Sequence, residues 1–394
     1  MSDTTIAARR RSRRSLVIAL MLLLIAAVAW SGFWFYAASK AEVAADAWAA
    51  REAKSGRVFD CANRSIAGFP FRFEVQCSGA SVSLVSQTAD RTHFTARLDN
   101  ILVAAQALDP RRVTAEFTAP ATVTDDSTQT TFAVNWSKGR SSVVGLPAMP
   151  QRASIAFDDP TIDRLDGSTQ VPLARAKQVE MQGNLAEGSL SDRPIIETAT
   201  RIVQASIQGL HPLLSEAFDA DLRAKVTGLA DFKPKPWPQR FREIQAAGGH
   251  IEILQSRVQQ GDTIAVATGV LGITASGHLD GELQVTVAGL DRVIPALGID
   301  KMLEEGVPQS TLDRVAPGVK AKDVDNLLGA LDRAVPGLGK VVRQNANVGV
   351  AAGINALGKK SELEGKKARS FPLRFVDGVV RLGPLKVGQI PPLF

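Results

Sequence analysis

The sequence predicts an α+β fold that is mainly β: a single N-terminal transmembrane helix followed by curved antiparallel β-sheets, with helices packed in the C-terminal half. Three observations carry this expectation. Ser15 to Ser39 is a run of twenty-five residues without a formal charge. After it, apolar residues alternate with polar ones, and turn signals recur about every 10 residues. Between residues 290 and 358 the apolar spacing changes to a helical period.

The uncharged run organises the chain. About 20 apolar residues at 1.5 Å each cross a hydrocarbon core, and Leu16 to Tyr36 supplies that length. Trp30, Phe33, Trp34, Phe35 and Tyr36 sit at its outer end, where aromatic rings favour the headgroup layer, and Arg9, Arg10, Arg11, Arg13 and Arg14 precede it. Residues 1–14 are therefore expected as a cytoplasmic basic tail and residues 15–39 as the span. The bulk is expected on the far side of a bacterial inner membrane, in the periplasm. A cleaved signal peptide is the alternative, because Tyr36-Ala37-Ala38-Ser39 offers small residues near a cleavage point. Signal cores run only about 7–15 residues, which favours a retained anchor.

The chain of 394 residues has a formal charge of +6. The five leading arginines set against Asp3 account for +4 of it, leaving about +2 on the rest. Nucleic-acid binding is not expected from so dilute a charge. Two cysteines, Cys61 and Cys77, both follow the anchor, with no Cys-x-x-Cys. An isolated pair in an oxidising compartment reads as a disulfide. Closing a loop of about 16 residues contributes roughly 3 kcal/mol in the chain-entropy model.

Beyond the span, residues 40–56 read as a helical stalk ended by Gly56. Residues 57–232 read as an N-terminal antiparallel β region. In it Phe69, Phe71, Phe73 and Val75 alternate with Arg72 and Glu74, and Pro70 marks a strand start or an edge. Lys233-Pro234-Lys235-Pro236-Trp237-Pro238 breaks the pattern and is taken as the main internal boundary. Residues 233–394 form the C-terminal β region, with a short helix over 239–247, four hairpin-linked strands between 251 and 288 making a second sheet, a helical segment over 290–358, and a charged linker at 359–369. The chain closes on Phe371-Pro372-Leu373-Arg374-Phe375. This shares Phe-Pro-x-Arg-Phe with Phe69, Pro70, Phe71, Arg72 and Phe73, either as a coincidence of two edge strands or as a weak internal repeat.

Chemistry is sparse. His93, His211, His250 and His278 have no zinc-ligand spacing, and there is no Gly-x-Ser-x-Gly or Ser-x-x-Lys. No catalytic residue, metal or cofactor is expected, and a periplasmic hydrolase is a remote alternative.

The arginine-led anchor, the Ala-rich stalk, Gly68-Phe69-Pro70-Phe71-Arg72 leading into Cys77, and the ending from Phe371-Pro372-Leu373-Arg374 through Asp377-Gly378 to Leu382-Gly383-Pro384-Leu385 resemble an uncharacterised family of alphaproteobacterial membrane-anchored envelope proteins. That likeness spans nearly the whole chain and implies no catalytic residues. Leu271 to Gly289, with Gly277, Leu279, Gly281 and Leu283, is similar to the C-terminal β segments of AsmA-like envelope proteins. This second resemblance implies an anchor and a curved β groove used in lipid handling. The leading expectation is thus a non-enzymatic protein of the cell envelope whose apolar groove, lined in part by Phe71, Phe73, Leu373 and Phe375, takes a lipid or similar hydrophobic ligand. The same side chains would equally fill an ordinary core. The alternative is a scaffold that binds other envelope proteins through sheet edges.

Overall fold

The computed structural model describes residues 13–54, 56–85, 93–126, 128–146, 150–167, 169–209, 212–232, 235–290, 358–382 and 385–394. The expected helical segment 290–358 lies almost wholly outside the described residues.

Anchor and stalk are one helix, α1 (Arg13–Ala53), because Leu, Ala, Glu and Lys carry helical propensity from the apolar run straight into the charged one. It ends where Gly56 adopts φ +78°, its N–H returning to the Ala53 carbonyl at 3.1 Å. Among the described residues one helical stretch, Leu16–Ala53, is long and apolar enough to cross a membrane.

The strands follow in chain order. The first group is β1 (Arg57–Ala67), β2 (Arg72–Val85), β3 (His93–Gln106) and β4 (Arg112–Asp125), joined as a meander. Next come β5 (Thr130–Asn135), β6 (Lys138–Val144), β7 (Arg152–Asp158), β8 (Thr161–Asp166), β9 (Thr169–Arg175), β10 (Gln178–Ser189) and β11 (Asp192–Ile207). A single-turn helix α2 (Pro212–Ser215) leads to β12 (Phe218–Val226), then α3 (Trp237–Ala246) leads to β13 (His250–Gln260), β14 (Thr263–Ile273) and β15 (Leu279–Ala288). Last are β16 (Lys359–Leu363), β17 (Lys366–Val376), β18 (Val379–Leu382) and β19 (Leu385–Gln389).

All nineteen strands of the described residues belong to one antiparallel sheet. Its spine runs β1-β2-β3-β4-β6-β7-β10-β11-β12-β13-β14-β15-β17-β18-β19, which is fourteen steps. At about 4.8 Å per step the spine measures about 65 Å along the sheet. The sheet forks at β4, whose first half pairs with β6 and second half with β5. The branch β5-β8-β9 rejoins at β11 through Ser206↔Arg175. Pro120, which has no N–H to give a ladder, stands at the fork. Trp136 fills it, donating from Nε1 to the Phe117 carbonyl at 2.9 Å and lying so close over Gly139 that a Cβ there would come within 2.6 Å of the indole nitrogen.

Three expectations change. The second sheet is a continuation of the first, since Val226↔Ile251 and six further pairs join β12 to β13 across the proline-rich stretch. Residues 359–369 are the β16–β17 hairpin and not a linker; the stretch is rich in lysine and other polar residues, and with Ala368 its one buried side chain it shows no apolar period of two. Arg257 clasps its turn through a two-pronged contact to Glu364 at 2.6 and 2.9 Å. Finally, β2 begins at Arg72, and residues 69–71 form a turn.

The short helix after the proline-rich stretch is α3, and it covers one end of β10 to β14. Ile244 packs with Ile196 and Leu229, flanked by Leu185, Val226, Phe241 and Ile273. On its other side Arg240 donates to the Asp231 carbonyl at 2.6 Å and to Glu243 at 2.8 Å, while Lys235 bridges Glu243 at 2.5 Å and Asp231 at 2.9 Å. Burial pushes the Glu243 carboxyl up, but the Lys235 hydrogen bond, the Ala230 N–H and Arg240 together hold it below its ordinary value. A depressed carboxylate stabilises the fold fully above its unfolded value of about 4.3, and that contribution is lost as pH falls through the folded value. Glu243→Gln is expected to lower the stability of this end of the sheet by about 1–2 kcal/mol at neutral pH. Urea unfolding should show the gap from wild type closing below about pH 4.

Candidate functional site

The register places the apolar residues of nearly every spine strand on one face. One cross-strand row can be followed residue by residue: Phe73, Ala105, Val113, Val143, Ala153, Gly183, Thr198, Ala224, Ile253, Gly269, Leu283, Leu373, Leu382. Thr198 is its one polar side chain. The neighbouring row on the opposite face reads Glu74, Ala104, Thr114, Ser142, Ser154, Gln182, Ala199, Arg223. This is the alternation of a sheet with one wet and one dry side.

The dry side is only partly covered among the described residues. α3 covers it near one end of β10–β14, and α1 covers it over β1 and β2. Between them Met181 is 51% exposed and Leu222 39% exposed. An apolar face of this length left open in the middle is a candidate binding surface.

α1 is seated on that face along its outer half. Trp34 stacks on Phe73 with ring centroids 5.5 Å apart, and Trp48 meets Phe59 at 4.6 Å. The Trp34 indole donates to the Arg72 carbonyl and the Trp30 indole to the Pro70 carbonyl, both at 2.9 Å. Arg64–Asp46 and Arg57–Glu52, each at 2.6 Å, continue the seam toward the end of the helix. The helix therefore runs antiparallel to β1. Its residues 30–53 measure about 36 Å, which matches the length of an eleven-residue strand.

The Cys61–Cys77 disulfide lies beside this seam. Pairing jumps from Cys61↔Ala80 to Asn63↔Ser78, and from Ser78↔Asn100 to Ala80↔Leu98, skipping Ala62, Gly79 and Asp99. Gly79, at φ +69°, permits the kink. The skip shifts the phase of alternation, so Phe59 and Cys61 share a face with Phe73 and Cys77, and the disulfide staples the kinked strands together.

Two polar constellations carry side chains of catalytic type. Ser276, His278 and Asp377 meet where the β14–β15 and β17–β18 turns touch, with Ser276 Oγ 3.1 Å from His278 Nδ1 and 2.8 Å from Asp377 Oδ1. Asp377 also approaches the same Nδ1, at 3.4 Å. A relay needs the carboxylate and the hydroxyl on opposite ring nitrogens, so this cluster is a clasp between turns. The wet face carries a depression of about 440 Å³ lined by residues that include Glu180, Glu197, Arg201, Asp221 and Arg223. There Arg223 Nε already donates to Asp221 at 3.1 Å. Among the described residues no three metal-capable side chains come together.

Residues 34–391 match the family model described as an uncharacterized protein conserved in bacteria, DUF2125. The chain belongs to this family. No curated protein matches it. The family match opens at Trp34, the residue that seats the helix on the sheet, and the likeness to AsmA-like proteins rests on pattern alone.

Within this family member the candidate residues divide. Phe73, Leu373 and Phe375 are on the dry face, Phe73 under Trp34 and Phe375 buried, but β2 and β17 stand eleven steps apart along the spine. Phe71 is not on that face; it lies in the turn before β2. The two Phe-Pro-x-Arg-Phe segments also part company. Phe69 and Pro70 belong to a turn against α1, whereas Phe371, Pro372 and Arg374 lie inside β17, Phe371 and Pro372 between the end of its pairing with β16 at Ser370 and the start of its pairing with β18 at Leu373, and Arg374 opposite Arg381 of β18. The repeat is therefore not structural. What the sequence did not disclose is the seat itself, since Trp34 reads as an interfacial aromatic until Phe73 is seen beneath it.

Trp34→Ala is expected to destabilise the β1–β3 end by about 3 kcal/mol, through lost stacking and an orphaned carbonyl. Amide exchange should show faster opening in β1–β3 and unchanged protection in β13–β15.

Proposed function

We propose that this protein is a non-enzymatic, single-pass envelope protein, held by α1 in the inner membrane with its N-terminus in the cytoplasm, whose dry sheet face binds a lipid or another hydrophobic ligand in the periplasm. The observation that carries the reading is the apolar row from Phe73 to Leu382, interrupted only by Thr198, on a face that the described residues leave open around Met181 and Leu222. The leading arginines favour this orientation, because cationic segments resist translocation. The disulfide favours an oxidising compartment. The α1 seat supports access from the bilayer, since the dry face begins where the helix leaves its apolar run.

An acyl chain gains about 0.8 kcal/mol per buried CH2, so a row of half-covered aliphatic side chains suffices to hold one without a dedicated polar pocket. Met181→Asp with Leu222→Asp places charge in the open middle of the face while leaving the covered ends intact. After mild-detergent extraction of the full chain, native mass spectrometry is expected to find lipid retained by wild type and by the wet-face control Glu180→Gln, and lost from the double variant. Equal retention in all three, or none in wild type, would contradict the reading. Retention of a second protein in place of lipid would favour a scaffold.

A further inference from the structure

The end of the sheet nearest the apolar helix carries side chains that neither the fold nor the dry face accounts for. In the β1–β2 turn, Phe69 is 50% and Phe71 67% exposed, and in the β3–β4 loop Leu108 is 79% exposed. The two loops are tied together, the Ala107 N–H donating to the Phe71 carbonyl at 2.8 Å. They are also tied to α1. Phe35 stacks on Phe69 with centroids 6.0 Å apart, Trp34 meets Phe69 edge-on at 5.5 Å, and the Trp30 indole holds Pro70. Phe33, Phe35 and Tyr36 of the helix are themselves exposed on the same level.

Length decides what these residues meet. A hydrocarbon core needs about 20 helical residues, and counting from Leu16, the first apolar residue after Arg13 and Arg14, the twentieth is Phe35. Phe35 is the residue stacked on Phe69. The helix thus has no spare length to hold the sheet clear of the bilayer, and the Phe69–Phe71 turn is drawn to the depth at which the span ends. The composition suits that depth, since aromatic rings favour the headgroup layer and the cationic residues Arg72, Arg111, Arg112 and Lys40 border it.

We propose that the β1–β2 turn and the β3–β4 loop are seated in the interfacial layer of the lipid bilayer, forming with Phe33, Phe35 and Tyr36 a collar that docks this rim of the sheet onto the membrane surface. The proposal rests on the reading of α1 as a bilayer span. It goes beyond that reading by assigning the membrane a second contact, made by the sheet. The collar fixes the sheet's orientation and sets the start of the dry face, at Phe73, against the acyl chains.

The test uses the full chain in lipid nanodiscs whose acyl chains carry bromine, with an environment-sensitive fluorophore on single introduced cysteines; the native pair stays in its disulfide. Leu23→Cys reports the span, Phe71→Cys and Leu108→Cys the collar, and Asp126→Cys the opposite rim. The expected result is quenching and a blue shift at positions 23, 71 and 108, and water-like, unquenched emission at 126. Quenching at 23 with water-like emission at 71 and 108 would overturn the collar and leave the span standing. Water-like emission at 23 as well would overturn both. All labelled side chains are exposed, and an unchanged circular-dichroism melt for each variant excludes misfolding as the source of a water-like signal.

Discussion

The constraint on which the structure depends is the phase of side-chain alternation across an unbroken antiparallel ladder. In a sheet of period two, one slipped residue turns a whole strand inside out. Here thirteen consecutive pairings must agree for one side to remain apolar from β1 to β18. Where the chain breaks phase, the backbone absorbs the break. Ile251 and Ile253 have odd numbers and Val258 an even one, and the bulge between Ile253 and Ser256 returns them to the same face. In β11 the same service is performed between Ile202 and Ala205, with Gln204 at φ +48° and its N–H turned to Asp219 at 2.7 Å. At Ala62, Gly79 and Asp99 the skip runs through three strands together.

These corrections explain what the sequence could and could not disclose. Long uninterrupted signals were legible: the uncharged helix, the Phe73-Val75-Cys77 alternation, the hairpin turn at Gly261-Asp262, and the cysteine pair; Asp280-Gly281, which reads as a second hairpin turn, lies inside β15, and the chain reverses instead over residues 274–278. The β16–β17 hairpin was hidden because residues 359–369 offer Ala368 as their one buried side chain, which leaves no apolar period to detect. The joining of β12 to β13 was hidden because Pro236 and Pro238 break only the connection, while pairing across twenty-odd residues is a tertiary choice. The branch through β5, β8 and β9 depends on a fork at Pro120, and nothing local distinguishes a fork from a turn.

The candidate site was half visible for a related reason. Alternation groups Phe71, Phe73, Leu373 and Phe375 as one apolar set, of which the ladder's register puts Phe73, Leu373 and Phe375 on one face. It placed Phe71 with them because the segment 69–73 looks like continuous strand, but the chain there turns against α1 and the alternation begins only at Arg72. The residue that converts a tethered sheet into an oriented one is Trp34, which holds Phe73 by stacking and Arg72 by a hydrogen bond. Helix and sheet are thereby joined by side chains as well as by the short connection at Gly56. In the proposed topology a sheet fixed in this manner would present its dry face beginning at the membrane and leading away from it, an arrangement suited to receiving an apolar molecule from the bilayer.

The most direct measurement compares neighbouring positions that differ only in the face they occupy. A photo-activated diazirine residue is placed at Ile155 on the dry side of β7, or at Ser154 on the wet side, in the full chain in its native membrane, and adducts are identified after irradiation. The account predicts lipid adducts at position 155 and none at 154. Equal labelling at both, or labelling at 154 alone, would show that the apolar face is not where hydrophobic ligands travel.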